Sequence, residues 1–229
     1  KCVESLEVLE LHKEIEFQDF FNVIFEKKNL KSLTLATNFV TLKNVDFKKV
    51  LNSNIEELAL VTRSQYGIEQ TINYLVEKLI KLKSLKIQNI KTDSSDQLLG
   101  FVHLKKVESL CVTNSKMKFL QNIRFDCLKS LQLSSIHPFL KFEDWENLFR
   151  NNPLLEEIKL SEFEVYYVTD NIKVEIDKVI YNLHHIVKSL KSFELTQELR
   201  YQKAIKVYFK IHDDFKVLKV SDSFIKICR

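Results

Sequence analysis

Six histidines and four cysteines are the residues best suited to bond-making chemistry, and their placement points away from it. The histidines are His12, His103, His137, His184, His185 and His212. His184 and His185 are neighbours in a segment of helical periodicity, so their side chains diverge by about 100° and share no metal well. Cys2, Cys111, Cys127 and Cys228 form no C-x-x-C pair, the spacing used by structural zinc sites and redox motifs. The chain has no H-E-x-x-H and no G-x-S-x-G, and its two glycines are too few for a phosphate-cradling loop. Glu156-Glu157 and Asp213-Asp214 read as solvated charges. The expectation is a protein that is not an enzyme, with no catalytic residue, no cofactor and no metal. Its polar residues would serve binding.

The residues whose spacing suits binding are set between aliphatic ones. The phrase Leu-x-x-Leu-x-Leu, as in Leu128, Leu131 and Leu133, recurs with its first residue at Leu6, Leu30, Ile55, Leu82, Val107, Leu128, Leu155, Leu190 and Phe215. Successive spacings are 24, 25, 27, 25, 21, 27, 35 and 25 residues. Each phrase ends in a short alternating run, which is strand periodicity, so both late aliphatic side chains point one way and the residue between them points the other. One such unit cannot bury its apolar face alone, but a stack of them can. The intervening segments supply the cover.

These phrases resemble the leucine-rich repeat superfamily over nearly the whole chain, since repeats of about 20–29 residues with one strand each are its signature. The longer spacings are similar to the ribonuclease-inhibitor-like branch, which includes the repeat domains of F-box proteins. The resemblance implies an α/β fold: a right-handed leucine-rich repeat solenoid of about nine repeats, with a parallel concave sheet and helices on the convex side. It also implies a non-catalytic protein–protein interaction scaffold, the substrate-recognition arm of an F-box ubiquitin ligase whose adaptor docks through a segment upstream. The alternative is the ligand-binding ectodomain of a secreted or receptor leucine-rich repeat protein. One departure stands out. The superfamily places Asn or Cys three residues after the last leucine, and only Asn38 does so here. A continuous asparagine ladder is therefore not expected, and the turns after the strands should be irregular.

The expected solenoid brings the outward residues of nine strands into three columns. Glu10, Lys86, Cys111, Gln132, Lys159 and Glu194 fall in the middle one. The other two hold mostly Ser, Thr and Glu. Trp, Tyr, Phe and Arg, the types that anchor most interfaces, are missing from all three. Glu10, Lys86, Gln132, Lys159 and Glu194 are the expected polar contacts, and Cys111 should expose its thiol among them. The spacing of 35 carries an insertion at 162–170 with Tyr166 and Tyr167. Insertions in repeat proteins gather on one face, often the binding face, so both tyrosines join the candidate partner-binding set.

The linkers carry apolar residues at helical spacing. Phe17, Phe20, Phe21, Ile24 and Phe25 predict a helix over 15–28. Ile68, Ile72, Leu75, Val76, Leu79 and Ile80 predict the buried stripe of one over 68–81. Trp145, Leu148 and Phe149 do so for 142–150, which Asn151-Asn152-Pro153 ends. A further helix is expected over 172–188. Segment 115–126 has room for a turn or short helix only. The last stretch, 203–229, alternates and has two places to turn, which suggests a strand-rich C-terminal cap; the alternative is one more helix of the regular kind, with helix early and strand late. All 229 residues are expected to form one solenoid. Because Lys1 opens directly on a repeat, and terminal repeats need capping, the expectation is a fragment whose N-terminal cap, signal peptide, F-box or other domain lies upstream.

Composition limits the partners. The formal charge of +4 is small, opposite charges are interleaved, and only five arginines are present (Arg63, Arg124, Arg150, Arg200 and Arg229). Nucleic-acid binders concentrate positive charge on one face, so a protein partner is expected and nucleic acid is not. Mean hydropathy is −0.15 and no run of about 20 apolar residues occurs, so no membrane span is expected. Scattered cysteines without terminal clusters, and the lack of any Asn-x-Ser/Thr acceptor, favour an intracellular setting, cytoplasmic or nuclear, over a secreted one.

Overall fold

The computed structural model describes residues 7–11, 24–36, 53–61, 75–89, 106–116, 124–137, 142–161, 186–196, 216–221 and 224–228. Each of the first eight aliphatic phrases ends in a strand: β1 (Val8–Leu11), β2 (Ser32–Ala36), β3 (Glu57–Val61), β4 (Ser84–Gln88), β5 (Ser109–Lys116), β6 (Ser130–His137), β7 (Glu157–Ser161) and β8 (Ser192–Thr196). These strands are parallel and lie side by side in sequence order. Consecutive neighbours in one parallel sheet make the chain a solenoid.

The register explains the phrase. Leu33, Leu58, Leu85, Leu110, Leu131, Ile158 and Phe193 stand opposite one another across the sheet, and Leu35, Leu60, Ile87, Val112, Leu133 and Leu160 form a second row. All of these are buried, as is the third row of first-position residues, Leu30, Ile55, Leu82, Val107, Leu128, Leu155 and Leu190. Leu9 is only half-buried, and among the described strands β1 is the edge of the sheet. The chain enters each strand in the same way. In β2 the N–H groups of Lys31 and Ser32 both donate to the carbonyl of Glu7, and the pattern repeats six more times, ending with Lys191 and Ser192 on the carbonyl of Glu156.

The segments between strands add to this core. Helix α1 (Phe142–Asn151) buries Trp145, Leu148 and Phe149, with the rings of Trp145 and Phe149 5.7 Å apart. Asn152 closes it. Its buried amide donates to the Leu148 carbonyl at 2.7 Å and accepts from the Phe125 N–H, one repeat back, at 2.9 Å. The repeats are tied elsewhere by Asn54 donating to the Lys28 carbonyl (2.6 Å) and by Ser189 donating to those of Pro153 (2.8 Å) and Leu155 (2.6 Å). Of the helix expected over 68–81, residues 75–78 are helical and Leu75, Val76 and Leu79 are buried. Ile80 departs from the expected stripe: it is 53% exposed, because the helix has given way to a turn and the 3.6-residue phase no longer holds. Ile24 and Phe25 are buried, and the rest of the expected 15–28 helix lies outside the described residues. So does the expected 172–188 helix, apart from its last three residues.

Two expectations need correction. The ninth phrase does not extend the parallel stack. Its strand, β9 (Lys216–Ser221), pairs with β10 (Phe224–Cys228), and β10 inserts antiparallel between β9 and β8. Only two positions separate β9 from β10, and a connection that short can join antiparallel neighbours but not parallel ones. Among the described residues the parallel run has eight strands. Second, 115–126 does not begin as a turn: β5 continues through Ser115 to Lys116, and β6 likewise runs on to His137 beside it.

Candidate functional site

The sheet face opposite the aliphatic rows collects the polar residues. Register places Glu10, Thr34, Ala59, Lys86, Cys111, Gln132, Lys159 and Glu194 in one column, so all six strand positions expected to bind share it. Lys86, Gln132 and Lys159 are exposed, and Glu194 is half-buried. The flanking column runs from Val8 and Ser32 through Glu57, Ser84, Ser109, Ser130, Glu157 and Ser192, with Val8, Glu57 and Glu157 exposed. The charges are therefore grouped. By register Glu10, Glu57 and Lys86 fall on β1, β3 and β4, Glu157, Lys159 and Glu194 on β7 and β8, and between them β5 and β6 present Ser109, Ser130, Cys111 and Gln132, a neutral polar floor. Tyr166 and Tyr167 lie outside the described residues.

Cys111 corrects an expectation in part. It sits on the polar face, but its thiol is half-buried rather than open. Burial pushes the thiol pKa up, and the ammonium of Lys86 opposes this more weakly. The group stays protonated at neutral pH and is a poor nucleophile.

The third column, Val61, Gln88, Thr113, Ser134 and Ser161, is not uniformly solvated. Ser134 is buried, and Thr113 Oγ1 is out of solvent with no hydrogen-bond partner among the described residues. Just beyond, the backbone enters the left-handed region at one recurring place: Asn89 (φ 61°) after β4, and Asn114 (φ 46°) and Ser135 (φ 49°) within β5 and β6, each two residues after the last aliphatic. Asn tolerates this conformation better than most residues. Asn114 Nδ2 donates to Asn89 Oδ1 at 2.6 Å, and the Asn89 N–H donates to the Thr113 carbonyl at 3.0 Å. An asparagine pair thus bridges β4 and β5 one residue earlier than the superfamily pattern puts it.

The sequence reading missed another row, at the entry to the strands. The residues after the first aliphatic of each phrase are Glu7, Lys31, Glu56, Lys83, Glu108, Lys129, Glu156 and Lys191. Nζ of Lys83 lies 2.7 Å from Glu56, that of Lys129 2.9 Å from Glu108, and that of Lys191 2.7 Å from Glu156. The hydrogen bond from Lys83 lowers the Glu56 carboxyl pKa, and the same bond raises that of Lys83; Lys129 is raised likewise by Glu108. The signal was one column of charges read across repeats instead of along the chain.

The fold and face together define a parallel-sheet solenoid with a polar, mixed-charge sheet surface. No family model matches the chain, and no curated protein matches it significantly. Among the described residues no helix is long and apolar enough to cross a membrane, and no group of three or more His, Cys, Asp and Glu side chains is placed to hold a metal ion.

Proposed function

We propose that the chain is a non-catalytic protein-recognition scaffold of the leucine-rich repeat kind, binding through the polar face of its sheet. One observation carries this reading: eight parallel strands in register hold Lys86, Gln132 and Lys159 exposed on one face while the opposing aliphatic rows of β2 to β7 are buried. Such a face is a rigid grid of side chains about 4.8 Å apart across strands. In this reading the face is concave, the helical segments form the convex layer, and the array continues the right-handed repeat of the superfamily. Eight strands span about 34 Å and three columns about 14 Å, roughly 480 Å². A standard interface buries about 800 Å² per partner. Binding by the face alone would be transient, and a stable complex needs adjoining segments, with 162–170 and its Tyr166 and Tyr167 the first candidates.

By analogy with F-box repeat domains, the partner would be a substrate held for a ubiquitin ligase in the cytoplasm or nucleus, with the ligase adaptor docking outside these residues. The free thiols of Cys111 and Cys127 suit a reducing compartment. The test is affinity capture with the wild-type chain and with K86E/K159E, followed by direct titration of any captured protein. Loss of binding by at least about tenfold in the variant is expected, since charge reversal at two interface positions costs more than 1.4 kcal/mol. An unchanged set of partners at unchanged affinity would remove this face from consideration.

A further inference from the structure

A repeat stack has an identity problem. The eight parallel strands bury nearly interchangeable triplets, such as Leu33 and Leu35 in β2 or Leu131 and Leu133 in β6. Aliphatic packing is non-directional, so it scarcely distinguishes a strand that has stacked on its sequence neighbour from one that has skipped to the next but one.

We propose that the entry row Glu7, Lys31, Glu56, Lys83, Glu108, Lys129, Glu156 and Lys191 is a register code that rejects skipped repeats. The row alternates in sign without a fault over eight positions. Its members become neighbours only through the stack, because the backbone of each is bonded to the carbonyl of the one before. Three adjacent pairs are in direct ion contact: Glu56 with Lys83, Glu108 with Lys129 and Glu156 with Lys191. The attraction also reaches the other neighbours, Lys31 acting on Glu56, Glu108 on Lys83 and Glu156 on Lys129. In correct order every contact is Glu on Lys. Omit any one strand and the new contact is Glu on Glu or Lys on Lys. Exposed pairs contribute little each, but here the alternative is repulsion and not merely a lost bond, so attraction and repulsion both count.

The chain supplies an internal control. At the ninth phrase the corresponding residue is Lys216, where the alternation calls for an acid. Stacked next, it would face Lys191. The parallel run stops at that point, and β10 separates β8 from β9. The switch to antiparallel pairing and the end of the code coincide.

The test traps a skipped register directly. In the full chain, with its four native cysteines changed to alanine, S84C and S130C lie on β4 and β6 with β5 between them. Their Cα atoms are about 9.6 Å apart, beyond the ~7 Å limit for a disulfide. Skipping β5 makes them neighbours. The variant K83E/E108K keeps composition and net charge but creates Glu–Glu at 56/83 and Lys–Lys at 108/129, and it makes the skipped 83/129 contact attractive. Refolded oxidatively in about 10 mM salt, where screening acts over about 30 Å, this background should form at least about threefold more S84C–S130C crosslink than the unswapped one. In about 1 M salt, with a ~3 Å screening length, the excess should vanish. Inverting all eight charges restores alternation and should restore the low crosslink yield. Equal crosslinking in the swapped and unswapped chains, an excess indifferent to salt, or an inverted row as faulty as the swapped one would overturn the code. None of these results bears on whether the polar face binds a partner.

Discussion

Replacing Asn152 with Ala removes a fully buried side chain that is bonded at both ends (0% exposed). The Phe125 N–H loses its acceptor, and the Leu148 carbonyl, at the end of α1, loses a donor. A buried polar group left unpaired costs about 1–3 kcal/mol. The donor is the harder of the two to re-satisfy, since a carbonyl tolerates under-satisfaction better than an N–H. The expected loss is therefore about 2–4 kcal/mol, comparable to the ~2–5 kcal/mol expected for emptying the core at Leu131. Urea unfolding followed by circular dichroism gives the shift. Native-state hydrogen exchange gives its location: repeats contact only their neighbours, so protection should fall in 124–137 and 142–161 well before 24–36. N152D separates the two bonds. It keeps the acceptor for Phe125 but gives up the amide donor and puts a carboxylate at the negative end of a helix. At neutral pH it should be worse than N152A. Burial raises its folded-state pKa, so its deficit should shrink as pH falls and the carboxyl regains a proton to donate. A loss under about 0.5 kcal/mol for N152A, the level of an ordinary surface change, would refute the assignment of Asn152 as the bolt between the two turns.

Two further predictions concern protonation. Cys111, half-buried and with its pKa raised by burial, should be alkylated slowly in the native chain at neutral pH, at a rate that keeps rising above the ordinary thiol range and jumps on unfolding in urea; mass spectrometry of labelled peptides reads this, and native labelling as fast as unfolded would contradict the described packing. Glu56 has its folded pKa lowered by the hydrogen bond from Lys83, so its contribution is present above the unfolded carboxyl pKa and is lost as pH falls through the folded one. The urea midpoint of E56Q should therefore lie below that of the wild type at neutral pH and converge with it in acid, and a gap independent of pH would show that the pair contributes nothing.

Local periodicity by itself determined which residues of the eight phrases are buried. A strand has two faces, so Leu131 and Leu133 go inward once Gln132 goes outward, and the same arithmetic put Lys86 and Lys159 on the open face. It likewise determined α1, because Trp145, Leu148 and Phe149 fall on one side of a 3.6-residue turn. The tertiary structure decided what depends on a partner distant in sequence. Alternation in Phe224–Cys228 marks a strand but not its neighbours; only the sheet order shows it between β8 and β9 and antiparallel to both. Ile80 kept its place in the helical count while the helix had already ended. Cys111 lay on the predicted face, yet its half-burial depends on what packs around it. Glu56 and Lys83, 27 residues apart, became a pair only when the strands were laid side by side, because ion pairing falls off with distance in space and takes no account of distance along the chain.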